Sequence, residues 1–184
     1  QYVWDPTFLT LMAKHYETGE PISTDLIFKL VQSRNDFRCI DVQNQILYAK
    51  FDQALFGQSF QDQYYGGSSS SNNKTTISNT ENPTTDLFAK LHTELNIPFA
   101  HGTHWHTRFG HLVTYGGGYY GYLYAQVFAA DIWKQHFQTN SLNRDAGLHL
   151  WNDMLSHGGA QDPNVMLRTL LGREPKVESF LEMM

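Results

Sequence analysis

Apolar residues recur three and four positions apart along most of the chain, and alternation is nowhere sustained, so the pattern predicts helices and no sheet. Asp5-Pro6 predicts a helix start, a capping carboxylate followed by proline where its missing N–H costs nothing. Phe8, Leu11, Met12 and His15 share the following face, and Thr18-Gly19-Glu20-Pro21 predicts the end. Gly19 can take the left-handed cap conformation and Pro21 cannot continue a helix. Thr24 predicts the cap of a second helix, with Leu26, Ile27, Leu30 and Val31 on one side. A third is predicted from near Phe37, striped by Ile40, Leu47, Phe51, Ala54 and Leu55 and fading at Gly57.

Residues 58–85 break the pattern. From Gly66 to Thr85 there is almost no large apolar residue, and Ser68 to Asn73 is low in complexity. Such a stretch buries too little surface to offset its ordering entropy, so it predicts a flexible insertion within one domain. Thr85 predicts the next cap, ahead of Leu87, Phe88, Leu91 and Leu95, and Ile97-Pro98 predicts the stop. Residues 99–118 read as loop. Tyr119 to Phe137 predicts a long helix carrying Tyr120, Leu123, Tyr124, Val127, Ala130 and Trp133. Ser141 or Asn143 predicts a cap for a helix burying Ala146, Leu150, Trp151, Met154 and Leu155 and ending at Gly158-Gly159. Asp162-Pro163 starts another, closed at Gly172, and a short helix with Phe180 and Leu181 comes last. The fold class is all-α.

Composition narrows the function classes. The 184 residues are 41% hydrophobic, 14% aromatic and 17% charged, enough apolar material for a core and against wholesale disorder. A net charge of −5 argues against nucleic acid as the partner, since phosphate binding needs clustered Lys and Arg. One cysteine, Cys39, excludes an internal disulfide and reads as a small buried hydrophobe. No apolar run is long enough for a membrane span, and no stretch of these residues reads as a signal or transit peptide. The chain begins at Gln1 rather than Met, which suggests a piece of something longer.

Two stretches hold candidate chemistry. Gly110 to Tyr124 contains His111 and the tyrosines Tyr115, Tyr119, Tyr120, Tyr122 and Tyr124, with Gly116, Gly117 and Gly118 between the first two. On a helix Tyr119 and Tyr122 share a face, so both hydroxyls could reach one spot. The glycines permit positive φ and the close approach of a peptide. Phenols and an imidazole beside a developing oxyanion can donate to it, one such donor being worth ~3–4 kcal/mol of transition-state stabilisation. The plainer reading is a glycine-rich turn entering an aromatic core helix. The second stretch holds His101, His104, His106 and His111 within eleven residues, but no Cys or acid accompanies them and no His-Glu-x-x-His occurs. Hydrogen-bonded or solvated histidines account for it, and no metal ligand is assigned in this chain. Asp41, Asp52 and Asp131 lie among apolar neighbours and read as surface or hydrogen-bonding residues.

The run His111-Leu-Val-Thr-Tyr115 followed by Tyr119-Tyr120-Gly-Tyr122-Leu123 resembles a signature of the thimet oligopeptidase family of zinc metallopeptidases, in the spacing of its mitochondrial intermediate peptidase branch. Lys14 to Pro21 is similar to the family's His-Tyr-x-Thr-Gly-x-Pro segment, Phe51-Asp52 to its Phe/Leu-Asp, and Asn143 to Gly147 to its Ser-Arg-Glu-Ala-Gly. Gly158-Gly159 and Asp162-Pro163 follow in the family's order. The likeness runs from about Asp5 to Phe180. Thr114, Gly117-Gly118 and Leu150-Trp151 depart from it, standing where the family usually has glycine, bulkier residues and Tyr-Arg.

The resemblance implies a helical, two-lobed body with a deep channel, of which residues 1–184 are a C-terminal segment of the catalytic domain. It implies zinc, held by a His-Glu-x-x-His helix and a glutamate expected upstream of Gln1. Tyr122, Tyr119 and His111 take catalytic places, with Tyr122 the main oxyanion donor, and Tyr115, Gly116, Gly117 and Gly118 contact substrate in a mobile loop. The partners implied are a peptide or precursor protein and the upstream remainder of the domain, and the compartment is the mitochondrial matrix. The isolated chain is expected to be inactive and to expose a tyrosine-rich face. The alternatives are an oligopeptidase of the same family and a non-enzymatic helical peptide-binding module.

Overall fold

The computed structural model describes residues 1–65 and 81–184. Ten α-helices lie among them: α1 Pro6–Met12, α2 Thr24–Asn35, α3 Arg38–Phe56, α4 Gln58–Tyr65, α5 Pro83–Glu94, α6 His111–Tyr115, α7 Gly121–His136, α8 Arg144–Asp153, α9 Pro163–Leu171 and α10 Glu178–Leu181. Short 3-10 turns at Tyr2–Trp4, Trp105–Arg108 and Leu155–His157 join them. Among the described residues the β-structure is one isolated antiparallel bridge between Lys14 and Pro21. The all-α expectation holds. None of the described helices is long and apolar enough to cross a membrane.

The chain divides into two compact units. The first comprises Gln1–Cys39 and Tyr124–Met184. Its core joins Ile132 and Phe137 to Ala146, Leu167, Leu170 and Leu171, with Tyr2, Phe128, Trp133, Leu150 and Met154 packed against it. Tyr2 sets its ring edge-on to Trp133 and Phe137, which ties the N-terminal turn to α7. The polar anchor of this unit is Asp131, wholly buried on α7. Its carboxylate accepts both terminal nitrogens of Arg173 at 2.7 and 2.9 Å, the Lys176 N–H at 2.8 Å and the Ser179 hydroxyl at 2.8 Å. Four charge-assisted bonds hold the carboxylate ionised, and the Arg173 guanidinium above all brings its pKa down to about 2.

The second unit is Ile40–Leu123. Leu47 and Phe51 of α3 pack on Phe88 and Leu91 of α5, with Phe51 edge-on to Phe88 at 4.9 Å. Tyr48, Leu55, Leu95, Phe99 and Leu112 close round them. The Gln43 side chain donates to the Leu95 carbonyl at 2.5 Å and caps the end of α5 from outside.

Three helices carry the side-chain caps that the sequence predicts. Asp5 accepts from Phe8 N–H at 3.0 Å, Asn143 from Asp145 and Ala146, and Asp162 from Asn164 at 2.8 Å. Gly172 ends α9 at φ +66. Elsewhere the expectations need correcting. The first helix stops at Met12, because Ala13 to Ile22 fold into a tight loop in which His15 N–H bonds the Glu20 carbonyl and Ile22 N–H bonds Ala13. Ser23, not Thr24, caps α2. Residue 83, not Thr85, opens α5, and Asn82 before it makes no side-chain cap bond. Residues 99–118 are not simply loop, since they hold the Trp105–Arg108 turn and α6. Trp151 and Leu155, expected buried, are 56% and 55% exposed, and Cys39 is exposed as well. Of the stretch expected as a flexible insertion, residues 58–65 are helix and residues 66–80 lie outside the described residues.

Candidate active site

The candidate chemistry gathers in the second unit, on the ribbon from Trp105 to Tyr122. Rings arrive there because aromatic residues fall at turns and short helices that must pack on α3. Tyr48 of α3 stacks on Trp105 at 4.8 Å, and Phe109 lies within 5.2 Å of both. Phe109 meets Tyr119 at 4.9 Å and His111 at 5.0 Å. His111 in turn faces Tyr115, Tyr119 and Tyr122 at 5.6, 5.4 and 5.7 Å. Each ring fixes the next, at separations typical of edge and tilted aromatic pairs.

α6 ends at Tyr115, and the chain then turns through Gly116 at φ +50 and Gly117 at φ +93. Side chains other than glycine's are strained there, so these two residues are what lets Tyr115 and Tyr122 meet. Gly118 and Gly121 N–H groups bond the Tyr115 and Gly118 carbonyls, and α7 begins. Tyr119 therefore precedes the helix instead of lying on it.

The consequence is a division between the two tyrosines expected to act together. Tyr119 is buried, and its hydroxyl donates to Gln45 Oε1 at 3.0 Å. Its ring lies 5.1 Å from that of Tyr122. Tyr122 is exposed, and its hydroxyl is 2.7 Å from that of Tyr115, also exposed. The two hydroxyls of the outer pair bond each other, while that of Tyr119 is engaged by Gln45. Either hydroxyl can donate within the pair, so the hydrogen left to donate outward can come from Tyr122 or from Tyr115. The Tyr115 hydrogen bond pushes the Tyr122 pKa up, and burial pushes that of Tyr119 up, so both phenols stay protonated at neutral pH. Arg108, Phe109, Gly110, His111, Thr114, Tyr115 and Tyr122 line an open concavity of about 490 Å³. Tyr115, Tyr120 and Tyr122 are each more than two-fifths exposed, and Val113 nearly nine-tenths.

The histidine cluster is dispersed. His104 pairs with the Thr85 hydroxyl at 2.9 Å and His106 with that of Thr84 at 3.1 Å. His106 is buried against Phe51 and Phe88, and burial, then the neighbouring His104, lowers its pKa. His92 bonds the Pro98 carbonyl. No three His, Cys, Asp or Glu side chains converge as a metal ion would require among the described residues. The described residues hold no donor set for zinc, whose ligands the resemblance places outside this chain.

Gln45 and Asp52 were not singled out for the site by sequence. Asp52 is wholly buried, and its Oδ2 accepts the Tyr119 N–H at 2.9 Å. Their seven-residue spacing on one helix face was the available signal.

The family model described as peptidase family M3 matches residues 1–184. The chain is similar to mitochondrial intermediate peptidase of Arabidopsis thaliana, 38% identical over 176 residues, 94% of this chain and 22% of that protein. It is similar to mitochondrial intermediate peptidase of Homo sapiens, 31% identical over 92% of this chain and 21% of that protein. Oligopeptidase A of Escherichia coli is 28% identical over 98% of this chain and 25% of that protein. The chain thus spans about a fifth of the length of the curated relatives it matches first. With the family model matched from end to end, the chain belongs to peptidase family M3.

Proposed function

We propose that these residues form the substrate-facing wall of a mitochondrial metalloendopeptidase, and that Tyr122 donates the hydrogen bond that stabilises the oxyanion as the peptide bond is attacked. The observation that carries this reading is the exposed Tyr115–Tyr122 hydroxyl pair at 2.7 Å, backed by His111 at the edge of an open concavity. A preorganised donor lowers a barrier most when its position is set before the substrate arrives, and the ring stack under Tyr122 sets it. His111 and Tyr115 contact the peptide, and the glycine turn lets its backbone approach. Tyr119 supports them as the buried ring beneath Tyr122. The metal of the whole enzyme is zinc, held by residues outside this chain. The 184 residues alone are expected to hydrolyse no peptide.

The substrates are N-terminal remnants of precursors imported into the mitochondrial matrix. Support comes from the names of the relatives, mitochondrial intermediate peptidases of plant and animals, at 30–38% identity over at least 92% of this chain. A second reading, an oligopeptidase acting on free short peptides, is supported by the likeness to oligopeptidase A over 98% of the chain. Cleavage measured against substrate length separates the two: processing of long precursors favours the first, and a ceiling at short peptides the second.

The deciding experiment is Tyr122→Phe in the full-length enzyme. Loss of an oxyanion donor is expected to lower kcat by about 10²–10³-fold with KM little changed. A kcat within about three-fold of wild type would refute the assignment of Tyr122.

A further inference from the structure

Tyr119 is gripped by α3 at both ends. Asp52 takes its backbone N–H at 2.9 Å, and Gln45 takes its phenol hydrogen at 3.0 Å. Gln45 and Asp52 are seven residues apart, two turns of one helix, so a single rigid element holds the backbone and the far tip of one side chain. The grip falls immediately after the glycine turn, where Gly116 and Gly117 take positive φ. Above Tyr119, in ring contact with it, stand Tyr122 at 5.1 Å and His111 at 5.4 Å.

Asp52 is an unusual residue to place there for packing. It is wholly buried, and its Oδ1 finds no hydrogen-bond partner among the described residues. A buried carboxylate with an unmatched oxygen costs stability that an apolar residue of similar size would not. What it provides is a fixed anchor for the first residue beyond the turn.

We propose that Gln45 and Asp52 are positioning residues, which fix Tyr119 and through its ring hold Tyr122 where the scissile carbonyl meets it. The inference rests on the assignment of Tyr122 made above. Displacement of a donor by about 1 Å is enough to cost on the order of 10²-fold in rate, so a clamp two residues away from the reacting atoms acts on kcat rather than on binding.

The test is made in the full-length enzyme on a short fluorogenic peptide. Gln45→Met is near-isosteric and removes the amide acceptor. It is expected to lower kcat about ten-fold with KM within about two-fold, whereas Gln45→Glu, which keeps an acceptor oxygen, stays within about three-fold of wild type. Combined with Tyr122→Phe, Gln45→Met is expected to cost less than about two-fold more, because its effect passes through the phenol already removed. Tyr119→Phe breaks the same bond from the other side without removing the ring, and serves if Gln45→Met melts below the assay temperature; its loss should equal that of Gln45→Met, and the two together should not add. If Tyr122→Phe alone leaves kcat unchanged, the assignment of Tyr122 fails first. If Tyr122→Phe lowers kcat but Gln45→Met or Tyr119→Phe is silent, or is equally costly with and without the Tyr122 hydroxyl, the clamp is overturned.

Discussion

Tyr122 carries the sharpest expectation at the scale of single residues. Its phenol titrates above the ordinary tyrosine value of 10.0, chiefly through the Tyr115 hydrogen bond. A raised pKa favours the neutral donor, which is present below the ordinary value and lost only as pH rises through the folded one. The alkaline limb of kcat in the full-length enzyme is therefore expected to move to lower pH in Tyr115→Phe, and a pH–rate profile checks it. A limb that stays in place would show that Tyr115 does not govern the ionisation of Tyr122. Cys39 shows the opposite case, a residue whose type misled. A cysteine among apolar neighbours reads as core, yet it lies exposed near the start of α3, just after the left-handed residue Phe37 at φ +61. Asp131 reads as a surface or hydrogen-bonding residue, and the structure buries it with four bonds from three residues 42 to 48 positions away, beyond any local signal.

At the scale of elements, helix starts were legible and helix ends less so. A side-chain cap acts within three residues, so Asp5, Asn143 and Asp162 could be read from their neighbours. Asp162→Ala is expected to cost about 1 kcal/mol, and Asn82→Ala, which breaks no cap bond, close to none; chemical denaturation of the two variants compares them. The end of α1 was missed because the loop from Ala13 to Ile22 is stabilised by its own crossed backbone bonds, which compete with helix continuation. α6 was missed because five residues give too little periodicity to register, and packing of Leu112 on the α3–α5 core supplies what propensity does not. The core stripe was clearer: Phe51 is wholly buried against Phe88, and Phe51→Ala is expected to cost about 3–5 kcal/mol in a melting experiment.

Two expectations concern the molecule as a whole. The Asp131–Arg173 pair links residues far apart in sequence within the first unit, and the lowered Asp131 pKa makes stability depend on pH. The sign follows from a folded value of about 2 against an ordinary 3.8: the contribution is complete above 3.8 and is lost as pH falls towards 2. It is on the order of 2 kcal/mol. Arg173→Met should remove most of it, and acid titration of the two proteins by circular dichroism should show the wild type surviving to lower pH. For the full-length enzyme, a chelator is expected to abolish hydrolysis and added zinc to restore it, while Tyr122→Phe stays impaired after zinc is added. Full activity in a chelated, metal-free enzyme would remove zinc from the mechanism.

The sequence by itself determined the helical class, most helix starts, the Phe51 stripe and the concentration of His111, Tyr115, Tyr119 and Tyr122 in one short stretch. These depend on residues within about a dozen positions, where spacing fixes geometry. The tertiary structure alone decided which tyrosine hydroxyls bond each other. Tyr119 and Tyr122 are three apart, and a helix would have aligned them, but the glycine turn and the reach of Asp52 and Gln45 from α3 draw Tyr119 inward, leaving Tyr115 to meet Tyr122. Those contacts join residues 67 and 74 positions apart, and only the packing of α3 against the ribbon brings them together.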